Sequence, residues 1–380
     1  MTGLTGLFRV AKISRIEVLA VGPDVPRTTW ASMEPQIMSL NLVRVTDADG
    51  AEGIGASENY SGNGFDLSSF EGMRTVAPLL LGKEALDREA RWREMQNLVQ
   101  PLPPGTIGPI DVALWDLAGK RAGLPLYRLL GGYRDSIPSY ASTPQLDDDG
   151  AYLKHVEDLM SLGYRAIKFH AWNVPERDLS MLRAVHREFG SAGLELMHDA
   201  ENRYGRHDGV RVARELESMG FRWFEAPYID YDIQGYVELR RRVAIPIVPH
   251  GLWLWNLYQF RSALELGAWD ALRFDVTEMG GITQARKVMA LAEAFGLTCE
   301  PQSWGYSMIQ FPNLHMGLAF SSASFFESPV PYEPYEFGVA NPIRPDALGR
   351  VWAPEGSGLG MEVDWDQIRS ATIASAAFDA

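Results

Sequence analysis

One cysteine, Cys299, stands in a chain of 380 residues, which excludes intramolecular disulfides and any cluster of thiolate metal ligands. Nowhere does an apolar run approach the roughly 18 residues of a membrane-crossing helix. The stretch Met1–Arg27 lacks the charged-then-apolar pattern of a secretory signal. Positive charge is in short supply: 35 Lys and Arg face 49 Asp and Glu, a formal net charge of −14. Nucleic acid and anionic membrane surfaces both attract a positive field, so neither is expected as the main partner. Low-complexity tracts and disordered linkers are missing as well. The expectation is a soluble, cytoplasmic protein. What the chain does have is core material, with 46% hydrophobic residues, and enough length for a large barrel plus an accessory domain.

The first third reads as mixed strand and helix. Residues 16–20 and 39–45 alternate like strands, Gly50, Gly53 and Gly55 mark turns, and residues 86–98 and 110–121 run at helical spacing. The pair Gly131-Gly132 marks a boundary, so residues 1–133 are expected to form one unit. After it the texture changes to short apolar strands at 137–142, 166–171, 194–200, 223–226, 245–249, 271–275, 297–301 and 324–327. Amphipathic helical stretches lie between them, at 153–162, 179–189, 210–219, 258–266 and 284–295. Eight strands alternating with helices over 134–345 predict an α/β fold, with a parallel sheet closed into a (β/α)8 barrel. The tail, 346–380, is expected to return to the first unit.

A barrel places its active site at the C-terminal ends of its strands. There the sequence sets Lys168 and His170, then Asp199, Glu225, His250, Asp275, Gln302 and Glu327, at steps from Lys168 of 31, 26, 25, 25, 27 and 25 residues. Each step is one strand–helix unit. A single polar residue after a strand means little, but a ring of them at unit spacing is hard to obtain from solubility alone.

Several stretches resemble one family. Asp111-Val-Ala-Leu-Trp-Asp-Leu-Ala-Gly-Lys120 and the following Gly-Leu-Pro-Leu-Tyr-Arg-Leu-Leu-Gly-Gly132 are similar to a signature of the mandelate racemase/muconate lactonizing branch of the enolase superfamily. Glu278-Met-Gly-Gly-Ile-Thr283 and Gly356-Ser-Gly-Leu-Gly-Met-Glu-Val-Asp364 resemble two further stretches. The resemblance implies a modified (β/α)8 TIM barrel under an α+β capping domain, built from 1–133 with 346–380. It also implies divalent-metal-assisted removal of a proton α to a carboxylate of a small molecule, and a homo-oligomer. A hydrogen beside a carboxylate is barely acidic; a hard cation on the carboxylate stabilises the enediolate, and a Lys or His then suffices as base.

By the same resemblance Asp199 and Glu225 are metal ligands, suited to Mg2+. The family's third carboxylate would fall near Gly251 in Ile245-Pro-Ile-Val-Pro-His-Gly251, which leaves His250 to complete the site or to orient substrate, with water or Asp275 filling the sphere. An imidazole ligand opens the site to Mn2+ or another divalent metal. Lys168 and His170 share one face of their strand, and His170 takes the place of the family base. The ammonium of Lys168 is expected to keep His170 neutral. Racemases of the family pair an Asp, here Asp275, with a His where this chain has Gln302, which cannot exchange a proton near neutrality. Two-base racemisation is therefore disfavoured. Glu327 is a candidate substrate contact. Trp30, Asn59 and Tyr60 from capping-domain loops, with Trp304 and Tyr306, are candidates for substrate binding. The leading reading is an acid-sugar or related hydroxy-acid dehydratase with His170 as base, which could also return its proton to the leaving hydroxyl in a syn elimination. A cycloisomerase or epimerase of the same branch, and a catalytically degenerate metabolite-binding protein, remain as alternatives.

Overall fold

The computed structural model describes residues 11–23, 28–30, 33–62, 64–98, 104–254 and 256–380. The N-terminal part holds strands β1 (Ile13–Val21), β2 (Thr28–Trp30), β3 (Met33–Asp47) and β4 (Glu52–Ser61), then helices α1 (Ser68–Val76), α2 (Arg88–Leu98), α3 (Gly108–Ala122) and α4 (Leu126–Leu129). Strands and helices then alternate: β5 (Ser136–Ser142), α5 (Asp149–Ser161), β6 (Ala166–His170), α6 (Pro175–Phe189), β7 (Glu195–Asp199), α7 (Arg206–Ser218) and β8 (Trp223–Glu225). The alternation goes on with α8 (Ile233–Arg240), β9 (Ile247–Val248), α9 (Leu257–Leu266), β10 (Ala271–Phe274), α10 (Ile282–Ala294), β11 (Thr298–Pro301), α11 (Ser307–Ala319) and β12 (Phe326–Pro329). The chain ends with β13 (Arg350–Trp352), α12 (Trp365–Ala371) and β14 (Thr372–Asp379).

Strands β5 to β9 run parallel in sequence order with β12 on the far side of β5, and β10 pairs in parallel with β11. Strand β9 neighbours β10, and β11 neighbours β12, so the eight strands make the expected ring. Its inside is layered by the two-residue period of a strand. Ala166, Met197, Trp223, Val248, Ala271 and Phe325 pack with Tyr140 into an apolar floor. Two residues further along each strand come Lys168, Asp199, Glu225, His250, Arg273 and Glu327. The floor therefore fixes the height at which all the polar groups emerge.

The capping sheet is antiparallel in the order β14-β1-β3, with β4 on the other edge of β3. Gly53 and Gly55, read from sequence as turns, lie inside β4. A Cβ at either position would stand 2.0 Å from a carbonyl of α3, that of Ala113 or of Pro109, so only glycine lets the helix lie this close. The segment 58–65, read as a loop, is strand to Ser61. The tail ends in β14, paired along β1 from Arg15↔Asp379 to Val21↔Thr372.

The signature stretch on α3 clasps these parts together. Asp116 accepts from the backbone N–H of Ile54 on β4 (2.9 Å) and of Leu359 in the tail (2.7 Å). Asp111 accepts from the Thr283 backbone N–H and hydroxyl at 2.8 and 2.6 Å, which ties the helix to α10 of the barrel. Both aspartates are buried, and losing such a bond leaves a donor stranded at a cost of about 1–3 kcal/mol.

Candidate active site

Above the apolar floor a cavity of about 430 Å3 opens between the barrel strands and the capping strands. At its base the Lys168 Nζ lies 2.8 Å from Glu327 Oε1, 2.9 Å from Glu225 Oε1 and 3.3 Å from Asp199 Oδ2. Arg273, a residue the sequence reading passed over, joins them. Its Nε is 2.9 Å from Glu225 Oε1 and its Nη2 is 2.7 Å from Glu327 Oε2, while Nη1 donates to the Tyr140 hydroxyl at 3.0 Å. Three carboxylates thus face two cations, all five side chains buried. Burial opposes ionisation here, yet the two cations outweigh it and hold Glu327 far below the usual carboxylate range. Glu327 also accepts from the Ser303 N–H, so it is a clamp inside the barrel.

His170 ends β6 with its ring held on both sides. Nδ1 lies 2.6 Å from the Thr143 carbonyl, which can only accept, so Nδ1 carries a hydrogen and Nε2 has the lone pair in the neutral ring. Nε2 faces Asp199 Oδ2 at 3.1 Å. Burial favours the neutral ring, but the Asp199 carboxylate outweighs both burial and the repulsion of Lys168, and the His170 pKa is raised. The help that Lys168 was expected to give in keeping His170 neutral is thus outweighed by Asp199, which both side chains share.

At the end of β9 the His250 and Gly251 N–H groups donate to Asp230 at 2.9 and 2.8 Å. The His250 Nδ1 is buried with no hydrogen-bond partner, and burial lowers the ring's pKa to about 4, so the imidazole is neutral. Gly251 has φ +84, and a Cβ there would stand 2.3 Å from the Arg273 carbonyl oxygen. Gly251, near which the resemblance implies a carboxylate, therefore has no room for any side chain. Among the described residues, no three His, Cys, Asp or Glu side chains are grouped so as to hold a metal as they stand. The donor set nevertheless fits one. Asp199 and Glu225 are register partners on adjacent strands and both reach Lys168, and the orphaned His250 nitrogen, on the same wall, supplies a third donor. Backbone strain gathers here too: Glu201, Asn202 and Ala226, just past Asp199 and Glu225, have φ of +48, +62 and +46.

The opposite wall differs from expectation. Asp275 accepts from the Thr277 N–H and hydroxyl, the Glu278 N–H and the Asn313 amide, and it is not part of the cavity lining. Gln302 and Glu278 do line it. From the capping strands Tyr60 reaches the cavity, and its hydroxyl donates to Glu58 at 2.7 Å. Trp304 lines it as well. Asn59 instead bonds to Asn41 and Asp66, and Tyr306, fully buried, packs on Phe337 and gives its N–H to Glu58, so neither lines the cavity. The side chain of Trp30 and all of Trp255 lie outside the described residues. His198 and His315 are buried and bonded at both ring nitrogens. Arg273, Glu201 and Glu278 were not among the candidate site residues; two-residue alternation from Ala271 would have placed Arg273 inside the barrel.

Glu58, Glu278 and Asp275 form a carboxyl group of three. Burial, reinforced by their mutual repulsion, raises the pKa of Glu58 and of Glu278 to about 8 and raises Asp275 as well. An unfolded Glu titrates near 4.3. The folded state therefore binds more protons between the two values, so this contribution to stability is complete below about pH 4 and is lost as pH rises toward 8. Thermal melts of Glu58→Gln against wild type should show a flatter decline between pH 5 and 8. Parallel curves would mean that Glu58 is already ionised in the folded protein.

Two family descriptions match the chain: mandelate racemase/muconate lactonizing enzyme, N-terminal domain, over residues 15–131, and enolase C-terminal domain-like, over 151–367. A 3,6-anhydro-α-L-galactonate cycloisomerase of Streptomyces coelicolor is 30% identical, over 94% of this chain and 98% of that protein. An L-talarate/galactarate dehydratase of Salmonella typhimurium is 29% identical, over 87% and 83%. The crystal structure of an L-talarate dehydratase from Polaromonas sp. JS666, complexed with Mg and L-glucarate, superposes with a TM-score of 0.86 at 26% identity, over 97% and 99% of the two chains. No helix among the described residues is long and apolar enough to cross a membrane.

Proposed function

The chain belongs to the mandelate racemase/muconate lactonizing enzyme branch of the enolase superfamily, and from that premise we propose that it dehydrates an acid sugar, with His170 removing the proton α to the carboxylate. The observation that carries this reading is the one-sided arrangement of the cavity. His170, with Nδ1 held by the Thr143 carbonyl and Nε2 beside Asp199, lines the cavity from β6, and after β11 it is lined by Gln302, which cannot take a proton. One base and no second base suit β-elimination better than racemisation.

Asp199, Glu225 and His250 are the residues that would hold a divalent cation, Mg2+ or, given the imidazole, Mn2+. When bound, such a cation neutralises the charge that gathers on the substrate carboxylate as the α-proton leaves. The protein's own groups do the rest. The Thr143 carbonyl holds the His170 tautomer, and Lys168 and Arg273 keep the carboxylates of β7, β8 and β12 in fixed positions. Tyr60 and Trp304 line the cavity, and their aromatic rings take up space that water would otherwise fill.

A panel of aldonic and aldaric acids, assayed with added Mg2+ or Mn2+ for 2-keto-acid formation, tests the reading. At least one acid should yield keto acid. No keto acid and no loss of the α-hydrogen from any member would overturn it. An isomer in place of a keto acid would favour the cycloisomerase reading, which the Streptomyces coelicolor relative supports. For the metal, His250→Ala should weaken Mn2+ binding by calorimetric titration at least about tenfold. Unchanged affinity would move the third ligand elsewhere.

A further inference from the structure

We infer that Glu278 gives the proton to the departing β-hydroxyl from the wall opposite His170, so that water is lost in an anti elimination. This rests on the dehydratase reading above and adds its second catalytic residue.

The argument begins with the ring. His170 ends β6, the second strand of the barrel, and Glu278 follows β10, the sixth; in a ring of eight these stand on opposite sides. Both line the same cavity. The turn that presents Glu278 is fixed by Asp275, whose Oδ1 accepts from the Thr277 N–H at 2.7 Å and the Glu278 N–H at 3.1 Å. Gly105 approaches from the other side. A Cβ built there would stand 3.2 Å from each carboxyl oxygen of Glu278, so the absence of a side chain at 105 leaves the carboxyl its place.

The surroundings suit an acid. The groups that face the Glu278 carboxyl are Glu58 and Asp275, which repel its charge, the Glu58 N–H, which bonds to it, and the Tyr60 hydroxyl. None of these is a cation. Burial and the two neighbouring carboxyls favour the protonated form up to about pH 8. The other acidic groups are ruled out one by one. Glu327 is clamped by Lys168 and Arg273, and Asp275 is saturated by four donors away from the cavity. Glu201 follows β7, next to His170, and so lies on the base's own wall.

The step balances. His170 Nε2 takes the proton from Cα, and the bonding pair rests on the substrate carboxylate as an enediolate before it returns as the Cα–Cβ double bond. The Cβ–O bond breaks with its pair on oxygen, which takes the Glu278 proton and leaves as water. The enol then ketonises, taking a solvent proton at Cβ and releasing its hydroxyl proton, while His170 gives up the Cα proton to solvent and solvent reprotonates Glu278. The alternative is a syn elimination in which His170 itself protonates the hydroxyl, and it assigns Glu278 no chemistry.

The test compares wild type and Glu278→Gln on an acid sugar that wild type dehydrates, in D2O, by proton NMR. The variant should form keto acid at least 100-fold more slowly. It should still exchange the α-hydrogen within a few-fold of wild type. It should also release fluoride from the β-deoxy-β-fluoro analogue within a few-fold of wild type, because fluoride needs no proton to leave. Keto acid at near the wild-type rate would overturn the inference in favour of the syn route. Exchange and fluoride release lost together with dehydration would assign Glu278 a structural role and overturn it as well. If wild type neither exchanges nor eliminates on any acid, the dehydratase reading fails, and this inference with it.

Discussion

Replacing His170 by asparagine should slow product formation by about 1000-fold, near the middle of what a general base contributes. Asparagine has no group that takes a proton near neutrality, and it keeps a polar side chain beside Asp199. The loss should therefore fall on turnover. Divalent-metal titration and melting temperature should stay close to wild type, because the clamp of Lys168, Arg273 and Glu327 does not include position 170. A variant with more than a tenth of the wild-type rate would remove His170 from the role of base.

The second large effect is expected at Gly251. Placing a carboxylate there, by Gly251→Glu, should destabilise the protein by roughly 3 kcal/mol or more. The backbone has φ +84, which favours glycine, and the new Cβ would stand 2.3 Å from the Arg273 carbonyl oxygen, in β10 rather than in a flexible side chain. Strand β10 would have to shift, and with it the guanidinium that joins Glu225 to Glu327. The melting temperature should fall by several degrees, with no gain in metal affinity. A Gly251→Glu protein of unchanged stability that binds Mg2+ more tightly would mean that the strand end can reopen, and that His250 only substitutes for a missing carboxylate.

Gly251 also marks where sequence reasoning stopped. The ring of polar residues was legible because a barrel repeats: each strand–helix unit delivers one side chain to the same rim, and steps of 25 to 31 residues betray the repeat. Asp199, Glu225, His250 and Glu327 were found in this way, and all line one cavity. A close approach between two backbones leaves no such trace, since a glycine in sequence reads as a turn. The same ambiguity hid β4, where Gly53 and Gly55 admit α3 against the sheet. Helix α11 is buried on every side and so has no apolar stripe to mark its bounds in the sequence.

Arg273 shows a different blindness. A charged residue in a strand suggests the solvent side, and its partners Glu225 and Glu327 come 48 residues before it and 54 after it in sequence. Only the closed ring brings them within 2.9 Å. Glu278 was read as part of a signature stretch and not as a side chain in its own right. Its raised pKa comes from burial, from Asp275 and from Glu58, and no local pattern in the sequence joins it to Glu58 on the capping strands.

The central claim is that His170 removes a hydrogen next to a carboxylate. Incubation of wild type and His170→Asn with an acid-sugar substrate in D2O, with Mn2+ present, measures this by the disappearance of the α-proton signal. Loss of the signal with wild type, at least as fast as keto acid forms, and no loss with the variant is the predicted result. A variant that exchanges at the wild-type rate would contradict the account.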